Sequence, residues 1–119
     1  VEMKRDWEII RQVLIAVEDD RFEDYLQETE MENKISVLEN SVLLVDSGFL
    51  NGKPLLMRGS VAHVSISGLT WEGHDLLDTI RSKPVWENIK TTALEKGLEL
   101  TFDVVKALGV KAIAMIVGN

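Results

Sequence analysis

Two stretches in the first half of the chain have apolar residues at helical spacing. In residues 4–18 the intervals of four, three, four and three predict an amphipathic helix with one buried face. The members of this stripe are Met3, Trp7, Ile10, Leu14 and Val17. Residues 34–47 carry a second such stripe. Gly48 then favours the left-handed conformation that ends helices, and Phe49 follows in the position that packs back onto Leu44.

The segment between these helices, residues 19–33, is polar and mostly acidic. Phe22, Tyr25 and Leu26 offer contacts with a core, but the density of charge favours a solvated surface segment. We therefore expect a connector with at most one helical turn or a short strand.

Alternation replaces helical spacing in residues 49–67, which predicts a β-hairpin. The side chains expected on the buried face of its second strand are Ala62, Val64 and Ile66. Asn51–Gly52 is one turn signal, and Gly59–Ser60 is the turn expected between the strands. Pro54 is tolerated at a strand start or an edge.

The stretch Gly68–Leu77 joins the hairpin to a helical C-terminal part. Thr70 is a good N-cap for a helix over residues 71–81. Gly73 lies inside that helix, where glycine is unfavourable, so we expect another backbone to pack closely against this turn. Two further helices are predicted, over residues 84–96 and 102–117.

The last predicted helix is apolar on almost every side, and such a helix needs partners all round. A chain of 119 residues has few elements that can supply them. We therefore expect a homo-oligomer, with a dimer favoured, built on this helix. The expected interface residues are Val105, Leu108, Ala112, Ile113 and Ile116.

The net charge of −7 keeps a small protein dispersed and disfavours non-specific binding to phosphate backbones. The chain has no cysteine, which excludes disulfides and thiolate metal sites. Its charged start predicts no signal peptide, and its longest apolar run, 112–117, is too short to span a bilayer. We expect a protein of the bacterial cytoplasm that does not enter membranes.

The sequence gives little support for a catalytic site or a metal site. His74 and Asp78 share a predicted helical face, but a zinc site needs three or four ligands. His63 and Ser65 lie in a strand pattern without a nucleophile elbow. The three tryptophans are expected to pack in the core. We predict no catalytic residues, no metal site, no cofactor and no enzymatic activity.

The order helix, helix, β-hairpin, helix is that of a winged-helix domain. The sequence therefore predicts an α+β fold with a winged-helix-like domain over residues 1–82. Two C-terminal helices, over residues 83–119, are expected to pack on it and to take part in oligomerisation. The helix at 34–47 takes the place of the recognition helix, and the hairpin is the wing.

Four features together resemble an uncharacterised family of small bacterial, phage and prophage proteins, a domain of unknown function related to YjcQ-like winged-helix proteins. They are Lys4-Arg5-Asp6, the glycine-ended second helix, the stretch Gly68-Leu69-Thr70-Trp71-Glu72-Gly73-His74-Asp75-Leu76-Leu77-Asp78-Thr79-Ile80-Arg81, and Val85-Trp86. The resemblance is strongest over residues 68–86. It implies a winged-helix-like fold and a frequent phage or prophage origin, and it brings no catalytic residues.

Two functions remain open on this sequence. A protein-interaction module that modulates a host protein suits the acidic balance, because an acidic surface complements a basic one. The alternative is a dimeric DNA-binding transcriptional regulator. Its candidate nucleic-acid contacts are Lys34, Asn40, Lys53 and Arg58. These basic residues are few, and a DNA reader normally gathers several on one face, so the interaction module is favoured.

Overall fold

The computed structural model describes residues 5–118 and shows an α+β fold, with six helices and one two-stranded antiparallel hairpin in that range. The elements are α1 (Trp7–Glu18), α2 (Phe22–Glu28), α3 (Met31–Asp46), β1 (Leu50–Met57), β2 (Ser60–Leu69), α4 (Trp71–Arg81), α5 (Lys83–Lys96) and α6 (Phe102–Val117). The chain divides into two compact units, Val1–His74 and Asp75–Asn119. The division falls inside α4, whereas the sequence places a boundary at residue 82.

The first helix forms as predicted and begins at Trp7, because Asp6 caps it. The Asp6 carboxylate accepts hydrogen bonds from the backbone N–H groups of Glu8 and Ile9, at 3.0 and 3.3 Å. Ile10 and Leu14 are fully buried. Met3, which the sequence assigns to the same stripe, lies outside the described residues.

The acidic segment contains a helix, α2, so the prediction of a connector is wrong. Phe22 and Leu26, four residues apart, are both buried and supply a short apolar face. Asp20 ends α1 with a left-handed φ of 57°. The N–H of Asp20 donates to the Val17 carbonyl oxygen at 3.1 Å, and the N–H of Arg21 donates to the Ala16 carbonyl oxygen at 2.7 Å. These two bonds make a Schellman motif without glycine.

The end of α3 is confirmed in detail. Gly48 has a φ of 86°, and its N–H bonds to the Val45 carbonyl oxygen at 3.1 Å. The N–H of Phe49 bonds to the Leu44 carbonyl oxygen at 2.8 Å. These two bonds make the predicted Schellman motif, and Phe49 is buried directly after it. The helix starts at Met31, earlier than predicted.

The hairpin turns at Arg58 and Gly59, whose φ values of 55° and 80° are both positive, as a type I′ turn requires. The predicted turn at Asn51–Gly52 is wrong, because both residues lie inside β1 at a register shift. A side chain on Gly52 would bring its Cβ within 2.5 Å of the Ser65 carbonyl oxygen, which explains the glycine.

The start of α4 is fastened to the end of α3 through Thr70. Its hydroxyl accepts a hydrogen bond from the Gly73 N–H at 3.0 Å and donates one to the Gly48 carbonyl oxygen at 2.6 Å. Gly73 packs against the Phe49 carbonyl oxygen, and a Cβ atom on residue 73 would overlap that oxygen. The predicted N-cap and the predicted close backbone approach are both confirmed.

The C-terminal unit contains most of α4 with α5 and α6. Ser82 and Thr101 cap α5 and α6, and Gly97 ends α5 with a φ of 66°. Gly109 of α6 contacts the γ-methyl group of Thr79 on α4, a contact that leaves no room for a side chain. The three predicted C-terminal helices are therefore confirmed almost to the residue.

Candidate interaction surfaces

Asn40 is a structural residue. Its side chain is 1% exposed. The Oδ1 atom accepts from the backbone N–H of Asp6 at 2.9 Å, and the Nδ2 atom donates to the Ser36 carbonyl oxygen at 2.8 Å. The prediction that Asn40 contacts nucleic acid is therefore wrong, because both ends of its buried amide are already bonded, Oδ1 to the start of α1 and Nδ2 within α3. Sequence spacing could not separate this buried amide from an exposed one.

The solvent face of α3 is apolar and acidic at its N-terminal end. Met31 is 81% exposed and Ile35, one turn later, is 64% exposed. Glu32 lies beside them and is exposed, whereas Lys34 is half-buried. Exposed apolar residues at this spacing are the type of side chain by which helices bind grooves in other proteins.

The exposed residues of the hairpin include basic and apolar ones. Lys53 and Arg58 are exposed, as a nucleic-acid contact requires. Leu55, Leu56 and Met57, which lie between them in sequence, are also exposed and apolar. This part of the hairpin therefore exposes three large apolar side chains and two basic ones.

The net negative charge of the chain is confined to the N-terminal unit. Val1–His74 has seven Lys and Arg against fourteen Asp and Glu, a net of −7, whereas Asp75–Asn119 has six of each and a net of zero. Residues 18–32 alone hold eight carboxylates and one arginine, again a net of −7. This acidic segment, built around α2, accounts for the net charge of the chain.

One contact with β2 and the partial burial of Tyr25 show that α2 packs within the N-terminal unit. His63 Nε2 on β2 lies 3.1 Å from Glu23 Oε1. Tyr25 is half-buried, and burial, with the negative charge of Asp6 as a second cause, raises the pKa of its phenol above 10.0. Since α2 is packed and linked to the hairpin strand, the carboxylates around it form a defined surface.

Trp71, the first residue of α4, is 83% exposed, so the prediction that all three tryptophans pack in the core is wrong for this one. Its ring lies tilted beside the imidazole of His74, with 5.9 Å between ring centroids. An open surface cavity of about 420 Å³ adjoins it. The lining residues are Asn51, Leu69, Thr70, Trp71, Glu72 and His74. We call this the Trp71 cavity.

The predicted interface residues of α6 separate into two groups. Val105, Leu108 and Ala112 are buried within the chain, so their prediction as interface residues is wrong. Ile113 and Ile116 are 39% and 51% exposed and stay available to a partner. Ile116 lies one turn beyond Ala112, so the stripe that α6 buries continues into solvent.

Among residues 5–118, no group of three or more His, Asp or Glu side chains has the arrangement of a metal site. None of the helices described is long and apolar enough to cross a membrane.

The fold defines an α+β protein with an N-terminal unit of three helices and a β-hairpin, and a helical C-terminal unit. A family model described as "Hypothetical protein (DUF2513)" matches residues 4–99. The chain is 34% identical over 116 residues to an "Uncharacterized protein" of Haemophilus influenzae (strain ATCC 51907 / DSM 11121 / KW20 / Rd), covering 87% of this chain and 90% of that protein. The chain therefore belongs to the DUF2513 family, a family of uncharacterised proteins, as the resemblance implied. No solved structure matches it.

Proposed function

We propose that this chain is a non-catalytic interaction module on a winged-helix-like scaffold, which binds and modulates a protein of a bacterial host. The observation that carries the proposal is the surface of α3. The helix that would read DNA in such a fold exposes Met31, Ile35 and Glu32. Apolar anchors within an acidic surface suit a protein partner that presents basic and apolar groups.

The winged-helix-like interpretation is supported by the order of elements in the N-terminal unit. Three helices, α1 to α3, precede the hairpin, and α3 packs on both β1 and β2. In a winged helix the third helix is the recognition helix and the hairpin is the wing. The presence of α2 brings the unit closer to that order than the sequence alone suggested.

A second function, a dimeric DNA-binding regulator, rests on one observation. Lys53 and Arg58 are both exposed on the hairpin, where a wing contacts the DNA backbone. Against it, the acidic segment of residues 18–32 lies in the same unit and repels phosphate. The resemblance to phage and prophage proteins supports a phage-type origin and action in the cytoplasm of the host.

The chain is also proposed to self-associate through its C-terminal unit. The net charge of that unit is zero, so two copies meet there without the repulsion that the N-terminal unit would produce. Ile113 and Ile116 supply exposed apolar surface on α6.

Fluorescence anisotropy with a labelled random duplex tests the first proposal against the second. We expect negligible binding of duplex DNA at moderate salt. Micromolar or tighter binding that weakens steeply as salt rises would favour the regulator.

A second measurement concerns the α3 surface. A host-lysate protein captured by the wild type should be lost with Ile35→Lys and retained with the exposed control Asn33→Lys, which adds the same charge on the same helix. Equal capture by both variants would show that α3 is not the binding surface.

A further inference from the structure

We propose that the Trp71 cavity binds an arginine side chain of the protein partner, with the guanidinium stacked on the Trp71 indole and paired with the Glu72 carboxylate. This inference rests on the proposed function, which it deepens by naming the chemistry of the partner. It concerns a surface different from the exposed face of α3.

The Trp71 side chain is not needed to hold the start of α4 in place. The helix start is fixed by Thr70, whose hydroxyl caps the Gly73 N–H, and by the contact of Gly73 with the Phe49 carbonyl oxygen. Trp71 itself leaves 83% of its surface in water, although an indole is among the largest apolar groups that a protein can bury. A large exposed aromatic beside a cavity is typical of binding surfaces rather than of helix starts.

The charge of the surroundings decides which ligand fits the ring. A nucleobase would also stack on an indole, but it would bring its phosphate into a unit whose net charge is −7. A cation is attracted both by the ring face and by the unit as a whole. Glu72 lines the cavity itself, and its carboxylate offsets the positive end of the α4 dipole there. The cavity therefore favours a cation over a nucleotide.

The side chains of the cavity favour arginine over lysine. Guanidinium is planar, so it stacks on an indole while its N–H groups reach a carboxylate in the same plane. Glu72 follows Trp71 directly and is exposed, and Asn51 lines the same cavity and adds an amide acceptor. Lysine would offer a compact charge with no stacking surface.

NMR of the ¹⁵N-labelled protein tests the assignment. The reporters are the Trp71 indole N–H and the backbone N–H groups of Asn51 and Glu72, which line the same cavity and remain in variants that lack the indole. The probes are three peptides of the form acetyl-Gly-X-Gly-X-Gly-amide, in which X is arginine, lysine or citrulline. We expect the arginine peptide to shift the Trp71 signal and to bind roughly two- to fivefold tighter than the citrulline peptide, as expected for a cation–π contact at an exposed site. It should also bind tighter than the lysine peptide, because ammonium has no planar surface to stack on the indole. Citrulline has nearly the shape of arginine without its charge, so it should bind weakly.

Variants separate the site from the general charge of the unit. Trp71→Ala should abolish the preference for arginine over lysine without a change in melting temperature, since the side chain is exposed. Trp71→Phe should keep part of the preference, and Glu72→Gln should weaken binding of the arginine peptide. Trp86→Phe, at a buried tryptophan outside the cavity, should leave the preference intact.

Several results would overturn the assignment: equal binding of the three peptides, an arginine preference that survives Trp71→Ala, or stronger shifts with adenosine monophosphate than with the arginine peptide. None of these would affect the proposed function, which the duplex-DNA and Ile35→Lys measurements test separately. Tight, salt-dependent binding of DNA would instead remove the protein partner on which this site depends.

Discussion

Single residues at the junction of α3 and α4 hold the N-terminal unit together by hydrogen bonds that only certain residue types can make. Thr70 is bonded to both helices at once, accepting from Gly73 and donating to Gly48. Gly73 in turn allows the Phe49 carbonyl oxygen to approach the first turn of α4. The stretch that carries the strongest family resemblance is therefore explained at this point by packing rather than by chemistry.

Replacing Gly73 with alanine tests this packing. Alanine is the better helix former by roughly 1 kcal/mol, so an unconstrained site would be stabilised. Here the added Cβ overlaps the Phe49 carbonyl oxygen, and we expect a net loss of about 1–3 kcal/mol in the free energy of unfolding. Urea denaturation measures it. Gly68→Ala is the control, since a Cβ there meets nothing within 4 Å and its φ is not left-handed. A Gly73→Ala protein as stable as the Gly68→Ala protein would contradict this account.

Residue chemistry also determines what a sequence can predict. Gly48, Thr70 and Gly73 follow local rules of helix capping and close approach, and the structure confirms all three. Asp20 takes the left-handed conformation at C′ that glycine usually adopts. The end of α1 and the start of α2 therefore carry no glycine signal in the sequence. Burial of Asn40 depends on its partner Asp6, which is distant in sequence, and no local pattern reveals such a pairing.

At the scale of elements, the helices with a side-chain N-cap were predictable, and the short helix without one was not. The bounds of α4 and α6 match the sequence prediction, whereas α2 has no side-chain N-cap and spans seven residues. Its stability comes from the burial of Phe22 and Leu26, because isolated helices of this length do not persist in water. The hairpin shows the same limit, since Asn51–Gly52 is a strong turn signal that pairing with β2 overrides.

Truncation of Leu26 tests whether α2 is a packed helix. Leu26→Ala should lower the free energy of unfolding by about 2–3 kcal/mol, because it removes a buried side chain. Gln27→Ala, at the next position and exposed, should change it by less than about 0.5 kcal/mol. Thermal and urea denaturation give both values. Two small and equal effects would mean that the acidic segment is the solvated connector that its composition suggested.

At the scale of the whole chain, charge and exposed apolar surface have different distributions. The N-terminal unit holds the entire net charge, and the C-terminal unit is neutral. Composition alone gives only the total of −7 and not its confinement to the N-terminal unit. The division into units could not be read from the sequence, because it falls within a continuous helix, α4. The proposed function uses this separation, with the acidic unit binding a basic partner and the neutral unit self-associating.

The proposed dimer is tested by placing charge on two sides of α6. Ile116 continues the buried stripe of Val105 and Ala112 into solvent, whereas Ala107 is exposed and lies on the opposite side of the helix from Ile116. Ile116→Lys should dissociate the dimer, because burying an unpaired ammonium in an apolar interface costs several kcal/mol. Ala107→Lys adds the same charge to the same helix away from Ile113 and Ile116, and it should leave the dimer intact.

Light scattering during size-exclusion chromatography, over a range of protein concentrations, gives the mass of each form. The wild type and Ala107→Lys are expected at twice the chain mass of 13.4 kDa, and Ile116→Lys at the mass of one chain. Circular dichroism must show equal helix content in the three proteins, since loss of folding would also lower the apparent affinity. A wild type that stays monomeric at high concentration would refute self-association. A dimer that survives Ile116→Lys but not Ala107→Lys would move the interface to the other side of α6.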